Sequence, residues 1–127
     1  MGPTRLSWSM PALAESVQLS RRRIVELLSE SGWDEESIGY AALMTTELVT
    51  NVVEHAGTPY TVTIDLEPRV LRVDVRDASV VLPVMGEMCA SDAEHGRGLA
   101  LIAELSHRWG CEPVAGGKSV WFETQLR

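Results

Sequence analysis

The spacing of hydrophobic residues predicts a strand and two helices in the first half of the chain. The segment from Arg5 to Met10 is predicted to form a short strand, and Pro11 suits the first turn of the helix after it. This helix is expected to run up to Gly32, since its apolar residues recur at helical spacing. Asp34 is the predicted N-cap of a second amphipathic helix, which Gly57 ends.

The second half of the chain changes to strand periodicity. Apolar and polar residues alternate from Tyr60 to Leu66, and the alternation resumes from Leu71 to Val75 after a tight turn. No period persists from Ala78 to Glu94, which predicts a loop. A third helix is expected from Gly98 to Trp109, with Gly110 as its stop.

The last predicted element is a hairpin. Its turn lies at Gly116 and Gly117, and its final strand alternates from Val120 to Leu126. The order β-α-α-β-β-loop-α-β-β favours an α+β fold, a two-layer α/β sandwich with the helices on one face of a mixed, mainly antiparallel sheet. Because 127 residues is the usual size of one domain, residues 1–127 are predicted to form a single domain.

The charge balance limits the classes of partner. With 18 acidic residues against 11 basic ones, the formal net charge is −7, and an acidic surface repels nucleic acid backbones and anionic lipids. No apolar run approaches the roughly 20 residues of a spanning helix, and the first ten residues lack a signal-peptide layout. We therefore expect a cytoplasmic protein that binds neither nucleic acid nor membrane directly.

Three polar residues of the second helix, Glu47, Asn51 and His55, recur every four positions and share a stripe beside its apolar face. Such a stripe is either a solvated boundary or part of a cleft, and the spacing alone does not decide between them. In a cleft, the Asn51 amide could ligate Mg²⁺, and the Glu47 carboxylate could orient or deprotonate an attacking hydroxyl group.

Two other places could carry chemistry. Asp77 directly follows a predicted buried strand, where a carboxylate either caps a turn or accepts a hydrogen bond from an exocyclic amine such as that of adenine. Gly96 and Gly98 precede the third helix and would let backbone N–H groups approach phosphates at its N-terminus. Neither the GxGxxG fingerprint nor a Walker motif is present, and no cysteine or histidine spacing predicts a metal site.

Four motifs in the right order resemble those of the GHKL ATPase superfamily. The segment ELVTNVVEHA resembles the N box, and VDVRDAS resembles the G1 box. The segment HGRGLALI resembles the G2 box, and GGKSVWFE resembles the closing strand. The chain looks most like the stand-alone anti-sigma-factor serine/threonine kinases of this superfamily. The resemblance implies a Bergerat-type ATP-binding fold with ATP and Mg²⁺ as cofactors.

The resemblance also implies a role for each site residue. Glu47 would be the catalytic base that activates the acceptor hydroxyl, and Asn51 the ligand that ties Mg²⁺ to the phosphates. Asp77 would bind the adenine amino group, the small Ser79 would permit close approach of the base, and Ser119 would supply a hydroxyl that helps to hold it. The triphosphate would be bordered by the residues that start the third helix, Gly96, Arg97, Gly98 and Leu99.

The chain departs from the family at the G1 box, where both glycines of D-x-G-x-G are missing after Asp77. Two hypotheses therefore stand. The chain is either a kinase that transfers the γ-phosphoryl group of ATP to an antagonist protein, which Glu47 and Asn51 favour, or a non-catalytic module with weak or no nucleotide binding. The expected partners are a sigma factor, a STAS-type anti-anti-sigma protein or both, and a homodimer is possible.

Overall fold

A computed structural model describes residues 3–79 and 96–126, so the predicted loop from Ala78 to Glu94 lies outside the described residues beyond Ser79. In chain order the described elements are β1 (Thr4–Met10), α1 (Ala14–Glu30), α2 (Glu35–Asn51), a π-helical turn (Val52–Ala56), β2 (Tyr60–Leu66), β3 (Val70–Asp77), α3 (Gly96–Leu105), β4 (Arg108–Val114) and β5 (Gly117–Gln125). The predicted order of strands and helices is confirmed.

The five strands form one sheet in the order β1-β2-β3-β5-β4. Every pair of neighbours is antiparallel, so the mainly antiparallel sheet is confirmed, and no parallel pair occurs among the described strands. After β3 and α3, the chain forms the edge strand β4. It then returns as β5, which lies between β3 and β4 in the sheet. This return places the first residues of β5 beside the last residues of β3, and it creates the candidate site.

The helices cover one face of the sheet. The side chains that β2, β3 and β5 direct to this face are mostly apolar and buried, and they include Tyr60, Val62, Ile64, Leu66, Leu71, Val73, Val75, Val120 and Phe122. They form one core with Ile24 and Leu28 of α1, Leu48 and Val49 of α2, and Ile102 of α3. The opposite face carries polar side chains, among them the hydroxyl pair of Ser7 and Thr63 at 3.2 Å.

The second helix begins as predicted and ends in an unexpected turn. The Asp34 carboxylate accepts a hydrogen bond from the Ser37 N–H at 3.0 Å, which makes it the N-cap of α2. After Asn51 the helix widens into the π-helical turn, which Gly57 closes in a left-handed conformation with φ 63°. Because this turn is wider than an α-helical turn, the regular stripe from Glu47 does not continue to the exposed His55.

Two predicted boundaries in the last third of the chain are wrong. The third helix is Gly96–Leu105, whereas Trp109 and Gly110 belong to β4, where they pair with Phe122 and Trp121. Strand pairing overrides the helical spacing here, and a Cβ at Gly110 would lie 3.0 Å from the Trp121 ring. The hairpin turn spans residues 115–116 instead of 116–117, so β5 starts three residues before the predicted strand.

Candidate functional site

Asp77 ends β3 with its side chain directed into the helix-covered face. The side chain is fully buried, and its Oδ1 accepts a hydrogen bond from the Ser79 N–H at 2.8 Å. This bond is the turn-capping role that the sequence left open. The other oxygen, Oδ2, is buried and has no hydrogen-bond partner among residues 3–79 and 96–126. One carboxylate thus caps a turn and still presents a buried acceptor.

Lys118, which had no predicted role, lies beside this carboxylate. It is the direct cross-strand partner of Asp77, and its Nζ lies 3.2 Å from Asp77 Oδ2. The lysine side chain is only 11% exposed. The two groups form an ion pair by distance, although they are not aligned as a hydrogen bond, so Oδ2 is balanced in charge and keeps capacity for a further donor.

Ser119 lies on the opposite face of the sheet. Its hydroxyl donates a hydrogen bond to Asp74 Oδ1 at 2.7 Å, and Asp74 faces away from the side to which Asp77 points. Successive strand residues point to opposite faces, and only Lys118 reaches Asp77 from the start of β5. The expectation that the Ser119 hydroxyl helps to hold the base is therefore wrong.

Gly117 allows β5 to begin in close contact with the end of β3. A Cβ at this position would overlap the main-chain carbonyl oxygen of Asp77. The preceding Gly116 adopts φ 77°, a conformation that side-chain-bearing residues rarely adopt, and it closes the hairpin. These two glycines bring Lys118 into register with Asp77.

Helix α2 connects the remaining candidate residues. Glu47 and Asn51 lie one turn apart at its C-terminal end, and both are half-buried. The helix packs against β3, which carries Asp77, against β5, which carries Lys118, and against α3. It is followed by the π-helical turn, a feature that is frequent at functional sites.

The predicted phosphate segment forms the start of α3. The backbone of Gly96, Gly98 and their neighbours is the first turn of this helix, where N–H groups have no intrahelical partner and the helix dipole favours anions. The side chains of Arg97 and Leu99 lie outside the described part of the chain. The role of this segment in phosphate binding stays a prediction.

The candidate magnesium ligand is the amide oxygen of Asn51. Asn51 lies in the last turn of α2, and no group of three or more His, Cys, Asp or Glu side chains in the described ranges could hold a metal. Magnesium commonly takes one or two protein ligands and completes its shell with phosphate oxygens and water. A single amide oxygen fits an ion that arrives with a nucleotide.

The fold is a two-layer α+β sandwich with a buried acceptor at the end of β3 and glycines at the start of α3. The chain belongs to the histidine kinase-like ATPase domain family, whose model matches residues 10–124. This match confirms the predicted resemblance to the GHKL superfamily, whose ATPase domains bind ATP.

One solved structure illustrates the shared fold. The chain is similar to the crystal structure of the RsbU and RsbW domains of Rv1364c from Mycobacterium tuberculosis, with a TM-score of 0.74 and 22% sequence identity. The match covers 97% of this chain and 32% of the other, so this chain spans about a third of its length. A search of curated proteins finds no match. No helix of the described residues is long and apolar enough to cross a membrane.

Proposed function

We propose that this protein is an ATP-dependent serine/threonine kinase of the anti-sigma-factor type, which transfers the γ-phosphoryl group of ATP to an antagonist protein. The observation that carries the proposal is the Asp77 Oδ2 acceptor, which is buried without a hydrogen bond among the described residues of an ATPase-family fold. Only the Lys118 ammonium approaches this oxygen among the described residues, so Oδ2 keeps capacity for a second donor, which an adenine amine would supply.

Each side chain has a role in this reaction. Asp77 holds the base, Asn51 ligates the magnesium ion, and Glu47 orients the acceptor hydroxyl and takes its proton. The first turn of α3 offers backbone N–H groups to the phosphates. Mg²⁺, when bound, neutralises the charge of the phosphates. The protein therefore contributes positioning and electrostatic stabilisation, which dominate catalysis of phosphoryl transfer.

The partners follow from the same proposal. The phosphate acceptor would be a serine or threonine of a STAS-type anti-anti-sigma protein, and the sequestered regulator a sigma factor, both in the cytoplasm. The structural likeness to a chain that contains an RsbW domain supports this class of partner. A homodimer is part of the proposal.

Two variants separate binding from catalysis. Glu47→Gln removes the base and keeps the shape of the side chain, so we expect phosphotransfer from labelled Mg-ATP to candidate antagonists to be lost while ATP binding by calorimetry stays unchanged. Asp77→Asn should weaken ATP binding itself, because an amide offers a poorer acceptor than a carboxylate.

The control is Glu30→Gln, which removes an exposed carboxylate at the end of α1. It should leave both binding and phosphotransfer unchanged. Undiminished phosphotransfer by Glu47→Gln would contradict the assignment of Glu47 as the base.

A second candidate function is a non-catalytic module that sequesters its partner. The altered G1 segment favours it, because Ala78 and Ser79 follow Asp77 and the Ser79 N–H is already bonded to the carboxylate. Absence of both phosphotransfer and ATP binding in the wild-type protein, with partner binding retained, would favour this function over the kinase.

A further inference from the structure

Lys118 is the only lysine of the sequence, and every other cationic side chain is arginine. It is also nearly buried, with its Nζ 3.2 Å from Asp77 Oδ2. Removing an ammonium group from water is expensive, and a single ion pair does not reliably repay that cost. A buried lysine that faces the acceptor of the candidate site therefore calls for a functional explanation.

The pair leaves room for a ligand contact. The Lys118 ammonium lies 3.2 Å from Oδ2 without the alignment of a hydrogen bond. A carboxylate oxygen can accept more than one hydrogen bond, and an ammonium group has three N–H donors, so each partner keeps capacity for a ligand. The pair of Asp77 and Lys118 therefore presents an acceptor and a donor side by side.

An acceptor next to a donor matches the amine edge of adenine. The side-chain amides of asparagine and glutamine present this combination, and they read adenine through its N6 amine and N7. Guanine also presents an acceptor beside a donor, in O6 and N1–H, so the choice of adenine rests on the proposed ATP-binding function. Within that function, the Asp77 and Lys118 pair is complementary to adenine.

We propose that Lys118 is a base-contacting residue of the nucleotide site, donating a hydrogen bond to the adenine ring nitrogen next to the amine while Asp77 accepts from the amine. This proposal rests on the proposed ATP-binding function and assigns the second base contact within it. It predicts that base recognition depends on both members of the ion pair.

Adenine analogues test the contact in the unaltered protein. 7-Deaza-ATP and 1-deaza-ATP each lack one ring nitrogen beside the amine, and one of them should bind about 10- to 100-fold more weakly than ATP in calorimetry, the usual effect of losing a hydrogen bond to a charged group. Equal binding of ATP and both analogues would overturn the role of Lys118. Failure to bind ATP at all would overturn the proposed function as well.

Two variants then connect the lost contact to Lys118. Lys118→Met removes the donor, and it should bind ATP about 10- to 100-fold more weakly and no longer distinguish ATP from the affected analogue. Lys118→Arg keeps a cationic donor and should restore most of the discrimination. Binding of ATP by Lys118→Met as tight as in wild type, or tighter, would show that the lysine is passive or blocks the site.

The single lysine permits a further readout that does not depend on variants. An amine-reactive ester can modify only Lys118 and the terminal amine, and mass spectrometry separates the two products. ATP at saturating concentration should slow modification of Lys118 several-fold and leave the terminal amine unaffected. Unchanged modification of Lys118 with ATP bound would contradict the proposed contact.

Discussion

Gly117 supports the site through its backbone alone. A Cβ there would overlap the carbonyl oxygen of Asp77, so Gly117→Ala must push β5 away from β3. We expect it to lower the free energy of unfolding by about 1–3 kcal/mol, the usual cost of overpacking, in urea unfolding followed by tryptophan fluorescence. ATP binding should weaken too, because Lys118 moves with the strand.

A matched glycine provides the control. Gly39 lies inside α2 with no atom within 4 Å of an added Cβ, so Gly39→Ala should raise the free energy of unfolding by up to about 1 kcal/mol through helix propensity. If Gly117→Ala also raised the free energy of unfolding, the close approach of β5 to β3 would not exist in solution.

At the same scale, the sequence predicts Asp77 as a site residue but selects the wrong neighbour on β5. Motif resemblance points to Ser119, whereas the sheet brings Lys118 to the carboxylate. Side chains alternate between faces of a strand, so an error of one residue in register exchanges one face for the other. The register is fixed by the two-residue turn and by Gly117, and the predicted turn lies one residue away from the observed one.

At the scale of elements, β3, β5 and β4 share a charged cluster on the uncovered face of the sheet. Arg108 donates two hydrogen bonds to Glu123, at 3.0 and 2.9 Å, and Arg72 donates a third at 3.3 Å. The Arg72 guanidinium also lies over the Trp121 ring, 4.0 Å from its centroid. This cluster ties the edge strand to the centre of the sheet on the side opposite the candidate site.

The cluster predicts a pH-dependent contribution to stability. Hydrogen bonds from Arg108, and then from Arg72, hold the pKa of Glu123 below its usual value. Because this pKa is lower in the folded state, ionised Glu123 stabilises the folded protein at pH values above its unfolded-state pKa of about 4.3. This stabilisation is lost as the pH falls through the folded-state pKa. Glu123→Gln should therefore be less stable than wild type at pH 7, and the difference should shrink below about pH 4.

Urea unfolding of both proteins at several pH values measures this difference. Glu112→Gln, at an exposed position of β4, controls for the loss of one negative charge. A difference between wild type and Glu123→Gln that stays constant from pH 7 to pH 3 would contradict a stabilising ionised Glu123.

The elements also show why their existence is easier to predict than their ends. The long apolar stripe of α2 and the alternation of β2 and β3 are strong local signals, and all three elements are present where they are predicted, although α2 ends early in the π-helical turn. The sequence predicts Trp109 as the last residue of a helix that Gly110 stops, but pairing with Phe122 makes it part of β4. Pairing with a strand that is distant in sequence decides where such an element ends, and the local spacing of apolar residues does not reveal that pairing.

At the scale of the whole molecule, the site depends on contacts between residues far apart in sequence. Asp77 and Lys118 meet because β4 and β5 form a hairpin whose inner strand inserts beside β3. Local patterns predict the layers of this fold, because each element must bury its apolar face. They do not predict which inward-facing polar groups will meet, since that depends on strand order and register.

Because α2, β3, β5 and α3 all border the candidate site, ATP binding should stabilise the whole domain. A ligand at 100 times its Kd adds about 2.7 kcal/mol to the free energy of unfolding. For a domain of this size that gain corresponds to a rise in Tm of roughly 10 °C. Differential scanning calorimetry with Mg-ATP should show this rise for wild type and a much smaller one for Asp77→Asn.

Asp65→Asn is the matched control for this measurement. Asp65 lies on β2 and pairs with the exposed Arg5 at 3.5 Å, so its substitution removes a carboxylate of the same sheet away from the site. It should retain the full rise in Tm with Mg-ATP, because an exposed ion pair contributes little to stability and nothing to the nucleotide contact. Equal rises for Asp77→Asn and Asp65→Asn would mean that the nucleotide stabilises the fold without using the buried carboxylate, and Asp77 would then have only its turn-capping role.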